Sequence, residues 1–203
     1  RRADGTVIAT GGNLNTRTGT AVSGARCITN PDYVALEVAI SALWMESGGV
    51  GSRIKADVAI ITEIGLTQIS HYVKGLRDTA RFKSRLCRGM KPEGYAVLNR
   101  DMAEYDYVRQ KVEGYGATVL TYGFHPDADI PITAYEADTH GSDITVNLRG
   151  TSLTYRLNVP GRGMAGNSVA VLAALHLLGV DTGQAANQMA YFRNVAKKLQ
   201  AET

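Results

Sequence analysis

The stretch Lys91-Pro-Glu-Gly-Tyr-Ala-Val-Leu-Asn-Arg-Asp101 combines a turn, a short apolar run and a polar tip. A short run that is apolar on both of its faces is typical of a central strand in a parallel sheet, which is covered on two sides. The polar tip needs no function beyond ending the strand at a helix N-terminus. The stretch therefore predicts a buried strand at the centre of the fold.

Strand-like and helical runs alternate on both sides of this stretch. Runs rich in β-branched residues predict strands at residues 5–10, 34–38, 56–62, 95–99, 118–122, 144–148 and 152–159. Apolar residues three to four positions apart predict helices at residues 71–89, 101–114 and 164–178. The alternation predicts an α/β fold, a doubly wound and mostly parallel sheet with helices on both faces. Two strand-like runs between residues 130 and 159 are separated only by Arg149-Gly150-Thr151, which predicts an antiparallel hairpin at one edge.

Composition narrows the class of protein. The chain has 203 residues, 44% of them hydrophobic, which is enough for one domain with an ordinary core. Its net charge of +3 is scattered, with no basic run longer than Lys197-Lys198, which argues against a nucleic-acid partner. The sequence contains no apolar stretch of the ~20 residues that span a membrane. Cys27 and Cys87 match no metal-binding spacing and indicate reduced thiols. We expect a cytoplasmic protein that binds neither nucleic acid nor membranes.

Two charged residues lie in apolar surroundings. Glu37 is the only charge in the run Val34-Ala-Leu-Glu-Val-Ala-Ile-Ser41, which predicts a central strand. A buried carboxylate is costly unless it is paired or bound to a metal, so Glu37 is either a strand-end residue that reaches solvent or an arginine, or a Mg²⁺ ligand. Lys83 lies on the apolar side of the predicted helix at residues 71–89. It either extends its ammonium to the surface or is modified to a metal-binding carbamate.

Glycine-rich and polar loops are the remaining candidates for ligand contacts. Residues 10–19 form a loop whose small residues allow a backbone to approach a ligand closely. The polar loop after the strand at residues 56–62 leads to His71, although a lone histidine there is more often a surface or capping residue. A third glycine-rich turn opens the helix at residues 164–178, and free amides at such a helix start can bind an anion.

Taken in order, these segments resemble the middle domain of the Mur ligase superfamily, which includes the muramyl peptide ligases, folylpolyglutamate synthetase and the Mur-like half of cyanophycin synthetase. Leu36-Glu37-Val-Ala-Ile-Ser41 resembles the family's L-E-x-S-S, and Thr62-Glu-Ile-Gly-Leu-Thr-Gln-Ile69 resembles T-N-I-x-x-D-H-L. Residues 91–101 resemble K-P-x-G-x-x-V-L-N-x-D-D, with Met102 in place of the last aspartate. The predicted helix at residues 71–89 resembles the pattern of the muramoyl-alanine glutamate ligases at Tyr72, Gly75, Leu76 and Lys83.

The resemblance continues to the end of the chain. Thr121-Tyr-Gly with Asp127-Ala-Asp129 resembles T-Y-G…D-A-D. Gly161-Arg-Gly-Met-Ala-Gly-Asn167, followed by Val171-Leu-Ala-Ala174, resembles the adenine-side motif G-x-H-N-x-x-N-x-L-A-A. We expect one domain over residues 1–203, with a glycine-rich lead-in at 1–33, the hairpin edge at 130–159, and a linker helix at 183–203 toward a further domain. Because the chain begins without methionine and ends in an uncapped helical pattern, we also expect a piece of something longer.

The resemblance implies an ATP-dependent amide ligase, in which ATP and Mg²⁺ phosphorylate a carboxylate and an amine attacks the acyl phosphate. Its substrates would be an amino acid or a peptide-like molecule, and its partners other domains or subunits of a larger ligase. By resemblance Glu37 and Gln68 are metal ligands, Lys83 is the catalytic carbamate, and Asn99, Arg162 and Asn167 bind the nucleotide. Residues near the substrate would be Asn13, Thr16, Ser41 and His71.

Four departures from the family pattern weaken that expectation. No G-T-x-G-K-[ST] phosphate-binding loop occurs, Gln68 replaces the family's histidine, Glu63 replaces an asparagine, and Gly163-Met164 replaces the H-N pair. Gln68 retains an amide oxygen for Mg²⁺, but Met164 cannot hydrogen-bond adenine as asparagine does. Binding of ATP and Mg²⁺ is therefore expected to be weak or absent. The chain is either an incomplete ligase or a pseudo-ligase that serves as a scaffold or regulator. An unrelated α/β binder of nucleotides or sugar phosphates is a third interpretation.

Overall fold

A computed structural model describes residues 5–12, 14–44, 49–66 and 73–192. The strands are β1 (Val7–Ala9), β2 (Tyr33–Ala35), β3 (Val58–Ile61), β4 (Tyr95–Asn99), β5 (Thr118–Gly123), β6 (Ile130–Ala137), β7 (Ser142–Leu148) and β8 (Thr151–Leu157). The α-helices are α1 (Arg17–Ala25), α2 (Leu76–Ser84), α3 (Tyr105–Glu113), α4 (Arg162–Leu177) and α5 (Thr182–Gln188). Short 3₁₀ helices lie at Arg26–Thr29, Ile40–Ala42, Gly49–Ser52, Arg85–Gly89 and Met189–Tyr191.

The chain divides into two compact units. The N-terminal unit contains residues 5–98 and 102–120 among those described, and the C-terminal unit contains residues 99–101 and 121–192. Strand β5 contributes residues to both units. Within the described residues, no helix is both long and apolar enough to cross a bilayer.

The N-terminal unit is an α/β unit with parallel strand pairing. Strands β1 and β2 pair in parallel as a two-stranded sheet, and β3 and β4 pair in parallel within the order β3-β4-β5. Buried residues of β3, β4, α2 and α3 share one apolar cluster, in which α3 contributes Tyr105, Val108 and Val112 at helical spacing. Strand β4 is buried at Ala96, Val97 and Leu98, as the two-sided apolar run predicts.

The C-terminal unit continues from β5 with mixed pairing. Strand β6 pairs in parallel with β5 and antiparallel with β7, and β7 pairs antiparallel with β8. Arg149 and Gly150 have φ of 51° and 97°, and Asn147 Oδ1 accepts a hydrogen bond from the Gly150 N–H at 2.8 Å. The hairpin predicted at Arg149-Gly150-Thr151 is therefore present. The α/β class, the mostly parallel sheet and the antiparallel edge are confirmed.

Three local predictions differ from the structure. Residues 17–19, expected at the end of the glycine-rich loop 10–19, begin helix α1, and residues 130–137 form β6, where no strand was predicted. Strand β2 ends at Ala35, so the prediction of a central strand reaching Glu37 is wrong. Glu37 follows the strand and is exposed, because the run is only partly covered.

Candidate functional site

The loop between β1 and α1 is held by its own main chain. Gly12 has φ of 52°, a left-handed conformation that glycine adopts without strain, and the Leu14 N–H donates to Gly11 O at 3.2 Å. Thr16 is the N-cap of α1, and its hydroxyl oxygen accepts a hydrogen bond from the Gly19 N–H at 3.5 Å. Thr16, proposed from the resemblance as a substrate residue, thus also has a structural role. Asn13 lies outside the described residues.

Glu37 is tied to this loop. The Asn15 side-chain amide donates to Glu37 Oε1 at 2.6 Å, and the Glu37 main-chain N–H donates to Thr10 Oγ1 at 2.9 Å. The Ala39 N–H donates to Asn15 O at 2.7 Å, which adds a third link between the two segments. An exposed carboxylate with an amide partner corresponds to the interpretation in which Glu37 reaches solvent. Its role as a Mg²⁺ ligand stays a prediction.

Lys83 is half-buried on α2 and reaches the end of β3. Its Nζ donates to Glu63 O at 2.7 Å. Burial lowers the pKa of Lys83 from its ordinary value, and the nearby Glu63 charge opposes that change. The Lys83 side chain therefore links α2 to the segment after β3 in this conformation. The carbamate stays a prediction.

Three further site residues were predicted in the N-terminal part of the chain, namely Ser41, Gln68 and His71. Ser41 is exposed in the 3₁₀ helix Ile40–Ala42. Gln68 and His71 lie outside the described residues. Among the residues that are described, no three His, Cys, Asp or Glu side chains form a group that could hold a metal ion.

In the C-terminal unit, Asn99 and Asp101 form the polar tip after β4. Asn99 Oδ1 accepts a hydrogen bond from the Asp101 N–H at 2.9 Å, and Asp101 Oδ2 accepts one from the Phe124 N–H at 2.6 Å. Gly123 has φ of 143°, and a Cβ atom there would collide with Asp101 Oδ2. The tip is therefore fixed against the end of β5 by close backbone approach.

Arg162 begins α4 and stacks on an aromatic pair. Its guanidinium carbon lies 3.5 Å from the Phe124 ring centroid and 6.0 Å from the Tyr135 centroid. The two rings meet edge to face with centroids 5.5 Å apart. Through Asp101 and Phe124, the structure connects Asn99 with Arg162. Asn167 is an exposed residue of α4, and its nucleotide role stays a prediction.

The T-Y-G and D-A-D segments have a structural role. Asp129 Oδ2 accepts hydrogen bonds from the Thr121 N–H at 2.8 Å and from its hydroxyl at 2.6 Å, and the Asp129 N–H donates back to Thr121 Oγ1 at 2.8 Å. This reciprocal pair closes the turn between β5 and β6. Tyr122, the middle residue of the T-Y-G segment, is buried, and its hydroxyl has no hydrogen-bond partner among the described residues. Burial raises the Tyr122 pKa well above its usual range.

Asn15, Glu63 and Phe124 contact the predicted residues but were not singled out as site residues from the sequence. Asn15 could have been found by recognising Thr16 as a helix N-cap, because that places residues 10–16 between a strand and a helix. Phe124 carries no such signal, since its contact with Arg162 depends on strand pairing and on the start of α4.

Comparisons with known proteins agree with this architecture. Residues 1–175 match the family model of the Mur ligase middle domain. The UDP-N-acetylmuramate–L-alanine ligase of Streptomyces avermitilis is 33% identical over 144 residues, which cover 71% of this chain and 31% of that protein. The corresponding ligase of Halorhodospira halophila is 27% identical over 156 residues, covering 76% of this chain and 32% of that protein. The chain spans about a third of the length of the curated relatives it matches.

Solved structures show the same fold. A crystal structure of MurF from Acinetobacter baumannii matches with a TM-score of 0.83 at 19% identity, covering 95% of this chain and 41% of that one. MurF ligase from Thermotoga maritima in complex with ADP matches with a TM-score of 0.74 at 19% identity, covering 95% and 43%. Since the family model covers most of the chain, the chain belongs to the Mur ligase middle domain family, whose members include ATP-dependent amide ligases.

Proposed function

We propose that this chain is a Mur-type central domain that does not perform ATP-dependent amide formation and acts as a structural or regulatory domain of a larger protein or assembly. The observation that carries the proposal is the contact of Lys83 Nζ with Glu63 O at 2.7 Å. Glu63 stands where the family pattern has a neutral asparagine. In this conformation the lysine that a ligase would carbamylate donates a hydrogen bond to the main-chain oxygen of Glu63.

A carbamate would not fit this contact well. Its nitrogen keeps one N–H that can still donate to Glu63 O, but its two oxygens are only acceptors, where the ammonium has two further donors. Its negative charge would also lie near the Glu63 side chain, whose charge instead favours the protonated amine. Both effects support a structural role for Lys83 in holding α2 to the end of β3.

The residues implied for the cofactors are a poor match for them. Glu37 Oε1 accepts a 2.6 Å hydrogen bond from Asn15, and among the described residues no group of three His, Cys, Asp or Glu side chains could hold a metal ion. On the adenine side, Gly163 and Met164 offer no side-chain hydrogen bond to a base. No catalytic step through ATP or Mg²⁺ is therefore assigned to this chain.

A second candidate is an ATP-dependent amide ligase that needs the rest of a longer polypeptide. Burial lowers the pKa of Lys83, and a larger neutral fraction of its amine would favour reaction with carbon dioxide to give a carbamate. The ordered tip at Asn99 and Asp101 also keeps the matched part of the K-P-x-G-x-x-V-L-N-x-D motif in place. Its substrates would then be a carboxylate-bearing precursor and an amino acid, as the names of the relatives suggest.

Calorimetric titration with Mg-ATP tests the two candidates. It would be run on this chain, on the longest natural polypeptide that contains it, and on the Streptomyces avermitilis ligase as a positive control. We expect the control to bind and both other samples to show no heat of binding. Binding by the longer polypeptide, together with ADP release in the presence of an amino acid, would instead support the ligase. Binding of Mg-ATP by this chain, without the rest of a longer polypeptide, would overturn the proposal.

Carbamylation of Lys83 is tested separately by carbon-13 NMR in labelled bicarbonate. We expect no carbamate resonance from the wild-type chain. A resonance that disappears in Lys83→Arg would favour the ligase candidate.

A further inference from the structure

Helix α1 places the loop before it in a recognisable structural position. Phosphate-binding loops of the strand–loop–helix type end with a lysine and a Ser or Thr at the start of the helix. Here β1 ends at Ala9, and Thr16 is the N-cap of α1. When the last residue of G-T-x-G-K-[ST] is placed on Thr16, its first glycine falls on Gly11. The two ends of the pattern then match this sequence.

The positions between those ends depart from the pattern in a consistent way. Asn15 stands in the place of the lysine, Leu14 in the place of the second glycine, and Gly12 in the place of the threonine. Lysine contributes a full positive charge to a bound polyphosphate, whereas asparagine contributes none. Leucine also places a side chain where glycine leaves the backbone open to a phosphate.

The structure shows what Asn15 does instead. Its amide donates to Glu37 Oε1 at 2.6 Å, and the Glu37 N–H donates to Thr10 Oγ1 at 2.9 Å. The loop is thereby tied at two points to the segment after β2, with a carboxylate beside it. The Asn15 side chain is therefore used in a contact within the protein, at the place where the pattern has a lysine for a phosphate.

The packing around Leu14 fixes the loop further. A Cβ atom on Gly19 would lie 2.5 Å from the Leu14 main-chain carbon, so the first turn of α1 packs directly against the loop. The Leu14 N–H is already used in its hydrogen bond to Gly11 O. A main-chain donor that a phosphate would need is therefore occupied within the loop.

We propose that Gly11, Gly12 and residues 14–16 belong to a phosphate-binding loop converted to an internal contact, in which Asn15, tied to Glu37, and Leu14 keep nucleotide phosphates out. This inference rests on the proposed function, since it names the residues responsible for the loss of ATP binding. The inference predicts that substitutions at Leu14 and Asn15 restore phosphate binding.

The test is a gain of binding in Leu14→Gly/Asn15→Lys, measured by calorimetry with Mg-ATP and, separately, with inorganic tripolyphosphate. We expect no binding by the wild-type chain up to millimolar ligand. The double variant should bind both ligands with a Kd at least ~10-fold below that millimolar limit, because a charge-assisted hydrogen bond contributes this factor. Tripolyphosphate separates a gain at the loop from any contact with adenine.

Thr18→Lys is the matched control, because it adds the same charge at an exposed position of α1 that lies two residues beyond the pattern. It should gain no binding. Thermal unfolding checks that each variant is folded. If the double variant does not fold, the single variant Asn15→Lys is measured instead and must show the same gain in binding. Its lysine can pair with Glu37, as Asn15 does, so this variant is expected to fold.

The possible outcomes separate the two proposals. Binding of Mg-ATP by the wild-type chain overturns the proposed function. A wild-type chain that does not bind, together with a folded variant that gains nothing, overturns the converted loop and leaves the proposed function standing. Equal gains in the variant and in Thr18→Lys also overturn it, because added charge alone would then explain the binding.

Discussion

Gly123 ties the polar tip after β4 to the end of β5. Its φ of 143° lies in a region that residues with a side chain rarely adopt, and Asn99 Oδ1 lies 3.0 Å from where its Cβ would be. Two independent costs, backbone strain and overlap with the tip, therefore act at one position. Both belong to the C-terminal unit and can be measured as stability.

We expect Gly123→Ala to lower the free energy of unfolding by roughly 1–3 kcal/mol, the range for a residue forced into a sparsely populated conformation. Urea-induced unfolding measures the change. Gly163→Ala is the control, because a Cβ there meets nothing within 4 Å and the residue lies in the first turn of α4. That variant should be neutral or more stable. Equal losses in both variants would contradict the strain argument.

Asp138 gives a prediction about pH. The His140 N–H, followed by the Arg156 guanidinium, holds the Asp138 pKa at about 2, below its ordinary value of 3.8. Because the folded-state pKa is depressed, the stabilising contribution is present above 3.8 and is lost as the pH falls through about 2. Carboxyl carbon-13 NMR should show a midpoint of about 2.

Arg156→Gln should raise that midpoint, but it should stay below 3.8, because the His140 N–H remains. Arg109→Gln, which removes an arginine paired with Glu113 on α3, should leave it unchanged. An unchanged midpoint in Arg156→Gln would show that the 2.7 Å contact between Arg156 and Asp138 does not hold in solution.

Among the helices, α4 shows how one hydrogen bond joins a helix to a sheet. The Tyr155 hydroxyl on β8 lies 2.7 Å from Ser168 Oγ, and Ser168 Oγ donates to Ala165 O at 2.7 Å. Because serine has one hydroxyl hydrogen, Tyr155 is the donor to Ser168. Burial raises the Tyr155 pKa to about 12, so the hydroxyl keeps its proton over the physiological range.

We expect Tyr155→Phe to destabilise the chain by about 1–2 kcal/mol, because it leaves the buried Ser168 oxygen with one partner fewer. Tyr122→Phe is a matched comparison, since Tyr122 is equally buried but its hydroxyl has no partner among the described residues. Removing that hydroxyl should leave the free energy of unfolding unchanged or raise it. Chemical denaturation of the two variants would contradict this if Tyr122→Phe lost as much as Tyr155→Phe.

The elements differ in how far the sequence predicted them. Strand β4, the β7–β8 hairpin and α4 followed from apolar runs and turn residues, because burial on two sides and a two-residue turn leave clear patterns. Helix α1 did not, since its residues are mostly small or β-branched and its first turn is stabilised by packing of Gly19 on Leu14. Strand β6 was missed because Pro131 argues against a strand interior.

At the scale of the whole molecule, family membership was predictable from the order of the motifs, whereas the contacts within them were not. Lys83 was identified by a charge on an apolar helix face, and its half-buried position agrees with that signal. Its contact with the Glu63 carbonyl depends on the path of the chain after β3, which no local pattern encodes. Glu37 was misplaced for a related reason, because an apolar run does not reveal whether a strand has neighbours on both sides.

The dependence of folding stability on alkaline pH combines groups with opposite effects. Burial raises the pKa of Cys87 and of Tyr155 to about 12, so the folded state keeps protons that the unfolded state loses, and stability falls as the pH rises past 9 to 10. Lys83 acts in the other direction, because burial lowers its pKa. Between that lowered pKa and 10.5 the unfolded state binds the extra proton, so this group makes stability rise with pH.

The difference between wild type and Lys83→Met isolates the lysine, since Cys87 and Tyr155 are common to both proteins. Urea unfolding measured from pH 7 to 10.5 should show a difference that grows in favour of the wild type as the pH rises. Lys55→Met, at an exposed position, should show no such growth. If the difference in free energy of unfolding between wild type and Lys83→Met does not change with pH, the Lys83 amine has the same pKa in the folded and unfolded states. The desolvation that distinguishes Lys83 from the surface lysines would then be absent, and with it the physical reason for favouring a carbamate at this position.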